Sequence, residues 1–189
     1  LPLFLEKPVA LSSGRIKEAI EVCDSSRQNI QVGYNRRFYN FVPQLRKEIR
    51  SKTVRSVVVE VPESTKGKSD KLVNNLYVQN SSHVFDLLFH LFGDVHVLKK
   101  YSSSNGGHSQ SVLLESSEKR FSINLITVWD SPSNFSIKIF LEDEVIILSP
   151  LEILKRYRGF EILEPNQEVP IRRYIPQEKE TFFCMDSDS

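Results

Sequence analysis

Two places in the sequence combine residue types that could move a proton or stabilise a negative charge. The first is Lys7, which directly follows a short apolar run. The second is a helical pattern that places His83, Asp86 and His90 at positions i, i+3 and i+7, on the side away from its leucines. A lysine can polarise an oxygen atom, and a histidine can accept a proton near neutral pH. Both patterns are also typical of solvated surface charges, so each has two interpretations.

The elements around Lys7 favour a ligand site. Residues 1–5 form an apolar run that predicts a buried parallel strand. Glu6, Lys7 and Pro8 follow, and because a proline restricts the residue before it, Lys7 is expected on a sharp turn. A helical pattern begins directly afterwards. Ligands of α/β sheets bind at the carboxyl ends of such strands.

The second pattern allows acid–base chemistry or metal binding. A carboxylate within reach of an imidazole can fix its tautomer and raise its basicity. Three titratable side chains on one helix could also hold a metal ion. This spacing gives poor tetrahedral geometry, however, and Cys23 and Cys184 are distant in the sequence. We therefore predict no metal site.

A third candidate follows the next short strand. Asn35, Arg36 and Arg37 form a polar cluster at the end of residues 29–34, which alternate as a strand does. An arginine beside an asparagine at a strand end suits a phosphate or a carboxylate. The alternative is a loop of solvated charges, with Phe38 as the first core residue of the next helix.

These motifs together indicate a family. The Glu6-Lys7-Pro8 turn, a helix, and then Gln-Val-Gly-Tyr-Asn-Arg-Arg-Phe at 31–38 resemble the Gfo/Idh/MocA family of NAD(P)-dependent sugar and cyclitol oxidoreductases. The resemblance implies that Lys7 reaches both the nicotinamide and the substrate. It also implies that Glu6, Pro8, Tyr34 and Asn35 border the cofactor.

The resemblance extends to the helix that carries His83. In this family a glycine pair leads to an aspartate, a histidine four residues later and a further aspartate three beyond. His83 and Asp86 match the last two positions, which implies that His83 is the general base. The first aspartate falls on Gln79 and the glycine pair near 74–75. Glutamine can orient a hydroxyl group but cannot exchange its proton. We expect Gln79, Asp86 and Arg36 to contact the substrate.

Composition limits the classes of function. Apolar residues make up 40% of the 189 residues, which is enough for a globular core. Lys and Arg number 25 against 24 for Asp and Glu, so charge gives no reason to expect nucleic acid or an anionic membrane as partner. No apolar run approaches the roughly 18 residues of a membrane span. Two cysteines and no signal-peptide pattern favour a cytoplasmic protein.

The positions of the glycine residues bear on nucleotide binding. The chain has seven glycines, and the only adjacent pair is Gly106-Gly107, in a serine-rich segment. No Gly-x-Gly-x-x-Gly follows a strand, although a nicotinamide enzyme needs such a turn for the pyrophosphate. If the resemblance holds, the front of the nucleotide-binding domain is missing and the sequence is a fragment. The cofactor is then NAD or NADP, without a choice between them.

Residues 1–50 read as the C-terminal part of a Rossmann-type nucleotide-binding domain, because strand, helix, strand and helix alternate. The first helix is predicted at 12–27, with Ser12 or Ser13 as N-cap. Its apolar face comprises Ile16, Ala19, Ile20 and Cys23, and Cys23 is expected in the core. The second helix has Asn40 as N-cap and Pro43 in its first turn; its apolar face comprises Phe38, Phe41, Val42, Leu45 and Ile49.

Residues 51–189 read as an α+β substrate-binding or oligomerisation domain with a mostly antiparallel open sheet. A strand at 54–61, a loop at 62–75 and a helix at 82–92 ended by Gly93 come first. Further strands are predicted at 95–101, 110–116, 120–129, 134–142 and 144–149. Residues 150–189 show no assignable pattern, and no closing helix is evident.

The resemblance implies hydride transfer between a nicotinamide and a secondary alcohol of a sugar, nucleotide sugar or cyclitol. His83 would take the hydroxyl proton and Lys7 would stabilise the developing alkoxide. The expected partners are a small sugar-type substrate and further copies of the chain, which associate through the open sheet. The alternative is a catalytically inactive relative that serves as a binding or oligomerisation module, which Gln79 and the absent phosphate turn favour.

Overall fold

The computed structural model describes residues 3–26, 29–102 and 109–185. The glycine pair Gly106-Gly107 and the start of the first predicted strand, Leu1 and Pro2, lie outside these residues.

The chain begins with two short parallel strands joined by a helix. Strand β1 spans Leu3–Leu5, helix α1 spans Ser13–Ser26 and strand β2 spans Ile30–Val32. The strands pair in parallel, as the sequence predicts. The expectation that the first strand is buried is wrong, because Leu3 and Phe4 are 47% and 59% exposed. The hydroxyl oxygen of Ser12 accepts the Arg15 backbone N–H at 3.4 Å, so the expected N-cap is confirmed.

The apolar face predicted for α1 is not buried, which corrects the sequence interpretation. Ile16 and Ile20 are 40% and 53% exposed, and Cys23 is half-buried instead of lying in the core. In the described part of the chain, α1 connects the two strands of the smaller sheet, β1 and β2. Two strands of three residues offer too little surface to cover a helix of 14 residues.

The second helix starts later than its apolar pattern suggests. Residues Asn35–Phe38 form a short 3-10 helix, and α2 spans Val42–Ser51 with Pro43 in its first turn, as predicted. The expectation that Asn40 is the N-cap is wrong. Phe41 occupies that position in a helical conformation and makes no side-chain cap. The Pro43 ring sets the start of α2 because proline needs no helical hydrogen-bond acceptor there.

Eight strands form one large sheet in the order β10-β9-β8-β7-β3-β6-β5-β4. They are β3 (Val54–Glu63), β4 (Val95–Ser102), β5 (Gln110–Ser116), β6 (Ser122–Trp129), β7 (Ser136–Leu141), β8 (Glu144–Leu148), β9 (Ile153–Leu163) and β10 (Arg173–Phe183). Every neighbouring pair is antiparallel except β3 and β6, which are parallel. The predicted α+β domain with a mostly antiparallel sheet is therefore confirmed.

Two segments differ from the sequence interpretation. The predicted loop at 62–75 contains a short helix, α3, at Asp70–Val73. The unassigned segment from 150 onward contains β9 and β10, which pair as a long hairpin. Most residues of this hairpin beyond 157 are exposed on both faces, so it lacks the apolar alternation that identifies a half-buried strand.

Helix α4 spans Ser82–Phe92, as predicted. The hydrophobic core lies between one face of the sheet and the two helices α2 and α4. The leucine face of α4 is buried, and Gly93 ends the helix with φ 73°, a backbone conformation that favours glycine. Phe38 is 68% exposed, so its expected place in the core is wrong. It belongs to the 3-10 helix and precedes the turn into α2.

Helix α2 shares this core with the sheet. Leu45 and Ile49 pack in the same buried cluster as Val57 and Ile139 of the sheet. The division at residue 50 that the sequence suggests remains a prediction.

On the opposite face of the sheet, alternate positions are half-buried and form the open face; Val58, Ile126, Phe140, Val145 and Ile147 lie there. No helix in the described part of the chain is long and apolar enough to cross a membrane.

Candidate active site

The two parallel strands β1 and β2 end side by side and bring two predicted segments together. The Gly33 N–H donates to the Leu5 carbonyl oxygen at 2.9 Å. A Cβ atom at Gly33 would lie 3.2 Å from the Phe4 ring and 3.4 Å from a carboxylate oxygen of Glu6. A Cβ atom would therefore be crowded here, and the close approach of the two strand ends sets the Lys7 turn beside Tyr34.

Lys7 reaches from this turn to the segment before α4. Its side chain is half-buried, and Nζ donates to the main-chain carbonyl oxygen of Gln79 at 3.0 Å. Ser82 Oγ donates to the same oxygen at 2.6 Å. Gln79 therefore lies at the site through its backbone, a contact that any residue type could make at this position. The Lys7–Pro8 peptide bond is cis.

His83 lies in the first turn of α4, facing Lys7 and Tyr34. The Tyr34 ring meets the imidazole edge-on, with ring centroids 5.9 Å apart. Burial lowers the pKa of His83 below its usual value, and the positive charges of Lys7 and Arg36 lower it further. The imidazole is therefore neutral at pH 7 and can accept a proton.

Asp86 is buried rather than solvated, but its partner is not His83. Both carboxylate oxygens accept from the Arg37 guanidinium, with Nε to Oδ2 at 2.6 Å and Nη2 to Oδ1 as the second bond. Among the described residues, the buried Nδ1 of His83 has no hydrogen-bond partner. The sequence predicts that the arginine cluster binds a phosphate or a carboxylate. The carboxylate that Arg37 binds is Asp86 of the same chain.

Arg36 lies beside the site and packs against the body of the protein. Its guanidinium lies 5.6 Å from the Phe135 ring centroid, and Nη2 is 3.8 Å from a carboxylate oxygen of Glu152. The contact with Glu152 is long for a hydrogen bond. Its charge still acts on the site, because it lowers the pKa of His83.

One cavity of about 510 Å³ collects five of the predicted residues. These are Glu6, Lys7, Tyr34, Asn35 and His83, and the remaining walls come from Phe4, Gln31, Val32, Gly33 and Phe38. The other predicted residues, Pro8, Arg36, Gln79 and Asp86, are not among its lining residues. His90 does not line it either. A cation and a neutral imidazole thus face one space at the ends of two parallel strands.

A second cleft was not anticipated from the sequence. It holds about 490 Å³ at the carboxyl ends of β3 and β6 and includes Glu63 and Phe135 in its walls. Glu63 is buried and accepts the hydroxyl hydrogen of Ser81, two residues before His83, at 2.8 Å. The available signal was a β-branched run that ends on a carboxylate at Glu63. The parallel partner β6, however, cannot be read from local pattern.

The described residues contain no group of three or more His, Cys, Asp or Glu side chains arranged to hold a metal ion.

Comparison with known proteins identifies solved structures that share this fold. The sequence matches no family model and no curated protein. A dehydrogenase from Chromobacterium violaceum superposes with a TM-score of 0.68 at 16% identity, over 100% of this chain and 56% of its own. An inositol dehydrogenase homolog from Azotobacter vinelandii, complexed with NADH and myo-inositol, gives 0.66 at 12% identity over 93% and 50%. The chain has the fold of the Gfo/Idh/MocA-type dehydrogenases.

The WlbA dehydrogenase from Bordetella pertussis, in complex with NADH and UDP-GlcNAcA, gives a TM-score of 0.62 at 18% identity over 77% of this chain and 50% of its own. The chain spans about half the length of each of these proteins. The Gfo/Idh/MocA fold agrees with the expected architecture, the tail of a Rossmann-type α/β domain followed by an α+β domain with an open sheet. The roles of the individual site residues remain predictions.

Proposed function

We propose that this chain is part of an NAD(P)-dependent oxidoreductase that acts on a secondary alcohol of a sugar, nucleotide sugar or cyclitol. Neighbouring structures of the same fold bind NADH, and two of them bind myo-inositol or UDP-GlcNAcA. Their identity to this chain is 18% or less, so the proposal depends on the site itself.

The residues present fit the nicotinamide and substrate side of such a site. The cavity lies at the carboxyl ends of β1 and β2, where α/β sheets bind ligands. A Cβ atom at Gly33 would be crowded by the side chains of Phe4 and Glu6, and Asn35 supplies an exposed amide. The sequence contains no Gly-x-Gly-x-x-Gly turn to hold the pyrophosphate. We therefore assign only the nicotinamide side to this chain, with Glu6, Pro8, Tyr34 and Asn35 at its border.

The nicotinamide, when bound, supplies the hydride acceptor. His83 takes the proton of the substrate hydroxyl as the C–H bond on the carbon that bears this hydroxyl breaks. Only a neutral imidazole can accept the proton, and the lowered pKa of His83 favours that form. Lys7 donates to the oxygen as negative charge develops. An ammonium group has three N–H donors and Gln79 takes one, so two can serve the substrate. We place Arg36 beside the substrate as a positive charge.

The observation that carries this proposal is the meeting of Lys7 and His83 in one cavity. They are 76 positions apart in the sequence (83 − 7), and both line the space at the strand ends. A solvated lysine and a solvated histidine would not need to converge. The lowered pKa of His83, caused first by burial and then by Lys7, is what a general base requires.

The first test is titration of NADH and of NADPH into the longest chain that the reading frame encodes, followed by nicotinamide fluorescence. We expect Lys7→Ala to raise the Kd at least tenfold, or about 1.4 kcal/mol. We expect His83→Ala to change the Kd little and to lower turnover of a polyol or sugar substrate by roughly 10²- to 10⁴-fold.

Lys47→Ala is the matched control, because Lys47 is an exposed lysine on α2 away from the cavity, and it should bind as wild type. The proposal fails if the wild-type protein binds neither nucleotide. It also fails if the Lys7 and His83 variants turn over substrate as fast as wild type.

A second candidate function is a catalytically inactive binding or oligomerisation module. It is favoured by Gln79, whose amide side chain cannot exchange a proton at a position where the family resemblance implies a carboxylate. It is also favoured by the open face of the sheet, whose half-buried apolar side chains suit association with a second copy of the chain. Both functions allow a homo-oligomer, so nucleotide binding distinguishes them and oligomeric state does not.

A further inference from the structure

One ion pair joins the two halves of the candidate active site. Arg37 lies in the 3-10 helix that follows β2, next to Asn35 and Arg36. Asp86 lies one turn along α4 from His83. The guanidinium of Arg37 grips both carboxylate oxygens of Asp86, and such a two-bond contact fixes orientation as well as distance.

The burial of the pair is asymmetric. The Asp86 side chain is 7% exposed, whereas the Arg37 side chain is 42% exposed. The buried carboxylate needs its partner, because an unpaired buried charge is strongly unfavourable. Arg37 therefore cannot leave Asp86 without cost, and the 3-10 helix is held against the first two turns of α4.

The ion pair also decides what Asp86 is able to do. Both oxygens are engaged, and Nδ1 of His83 has no hydrogen-bond partner among the described residues. A carboxylate that oriented the imidazole directly would accept from one of its ring nitrogens. Here the carboxylate orients the backbone segment that carries Tyr34, and the Tyr34 ring in turn meets His83 edge-on.

We propose that Arg37 and Asp86 are a positioning pair that holds Tyr34 against His83, and that Asp86 neither relays the proton nor binds the substrate. The inference rests on the proposed role of His83 only for its consequence in catalysis, because the ion pair and the ring contact are formed by residues of this chain alone. The Lys7–Gln79 contact, by comparison, is a single hydrogen bond, which fixes a distance but not an orientation.

The test is NMR spectroscopy of the chain without nucleotide. The protein has four histidines, so the His83 resonances are assigned with a His83→Asn variant. The nuclear Overhauser effect between the ring protons of Tyr34 and His83 reports their contact. We expect Arg37→Gln and Asp86→Asn each to lower its intensity by more than half. Arg37→Lys should also lower it, because lysine keeps the charge but cannot form the two-bond fork.

Titration of the same resonances checks the charge balance around His83 in each variant. The charged groups facing His83 are Lys7, Arg36, Asp86 and Glu6. Arg37→Gln leaves the Asp86 carboxylate uncompensated, so the pKa of His83 should rise. Asp86→Asn removes a negative charge, so that pKa should fall. Both shifts follow from charge alone, so they do not distinguish the two roles. The loss of the ring contact in Arg37→Lys, which keeps the charge, does distinguish them.

Lys155→Gln is the control, because it breaks an exposed ion pair with Glu178 on the β9–β10 hairpin and should change neither signal. If Asp86→Asn does not fold, the half-exposed Arg37 variants decide the matter. An unchanged ring contact in Arg37→Gln and Arg37→Lys overturns the proposal. Failure of the protein to bind NADH would overturn the proposed function and leave this result intact.

Discussion

The start of the chain and the region around the large sheet have similar apolar patterns but differ in how far these apolar residues are buried. In the first unit, residues 3–33 (the βαβ unit), the strands have three residues each, and Phe4 and Ile20 are more than half exposed. In the body, residues 42–163, the same kind of helical face is buried, as Leu45 and Leu88 show. An amphipathic pattern predicts the element, but burial depends on what lies opposite.

The candidate active site lies between these two regions. Lys7 and Tyr34 come from the βαβ unit or its edge, and His83 comes from the body. The Lys7–Gln79 hydrogen bond and the Arg37–Asp86 ion pair connect them. A stable body therefore does not by itself fix the geometry of the site, which depends on these connections.

The largest expected effect tests the comparison directly with two helix residues. Leu45→Ala in α2 removes a fully buried side chain and should lower the free energy of unfolding by about 3 kcal/mol. Ile20→Ala in α1 removes a side chain that is 53% exposed and should change it by less than about 0.5 kcal/mol. Urea denaturation followed by circular dichroism measures both. Equal losses would mean that α1 is covered in solution, and the contrast would then be wrong.

The next effect concerns a charge network that only the body contains among the described residues. Glu144 is buried and accepts from Lys52 at 2.8 Å and from Arg156 at 2.9 Å. Burial alone would raise the pKa of Glu144, but the hydrogen bonds from these two cations outweigh it and lower the pKa below its usual value. Glu144→Gln should cost about 2 kcal/mol of unfolding free energy.

The same network sets a pH dependence. Because the pKa of Glu144 is lower in the folded than in the unfolded state, its contribution is present above about pH 4.5, the usual pKa of glutamate. It is lost as the pH falls through the folded value. Wild-type stability should therefore decrease more steeply below pH 4.5 than that of Glu144→Gln, and the two curves should converge. Parallel curves measured by denaturation from pH 7 to pH 3 would contradict this account.

Local signals in the sequence were enough for most elements. Helix α4 and its end at Gly93 follow from leucines at helical spacing and from a glycine where a positive φ is needed. Strands β3 to β8 follow from β-branched residues between turn residues. The two-stranded parallel pair follows from the apolar run before Glu6 and the alternation at 29–34. The ligand site at its carboxyl edge follows from the Lys7 turn.

Pairing across the chain could not be predicted in the same way. The parallel contact of β3 with β6 and the choice of Asp86 by Arg37 join segments far apart in the sequence, and local pattern contains no information about either. The β9–β10 hairpin was missed because much of it is exposed on both faces. Helix α1 shows the reverse case. Its apolar spacing is that of a buried helix, but Ile16 and Ile20 are exposed.

The smallest expected effects compare two glycines within the βαβ unit that differ in the space around them. A Cβ atom at Gly14 would have nothing within 4 Å, whereas one at Gly33 would lie 3.2 Å from the Phe4 ring. Gly14→Ala should stabilise the chain by roughly 0.5 kcal/mol through helix propensity, and Gly33→Ala should destabilise it by about 1 kcal/mol through overpacking. Urea denaturation measures both, and amide exchange at Leu5 tests the cause, because its strand should exchange faster only in Gly33→Ala. If Gly33→Ala is neutral, the ends of β1 and β2 are not fixed against each other. The approach of Lys7 to Tyr34 would then have to depend on the contacts with the body alone.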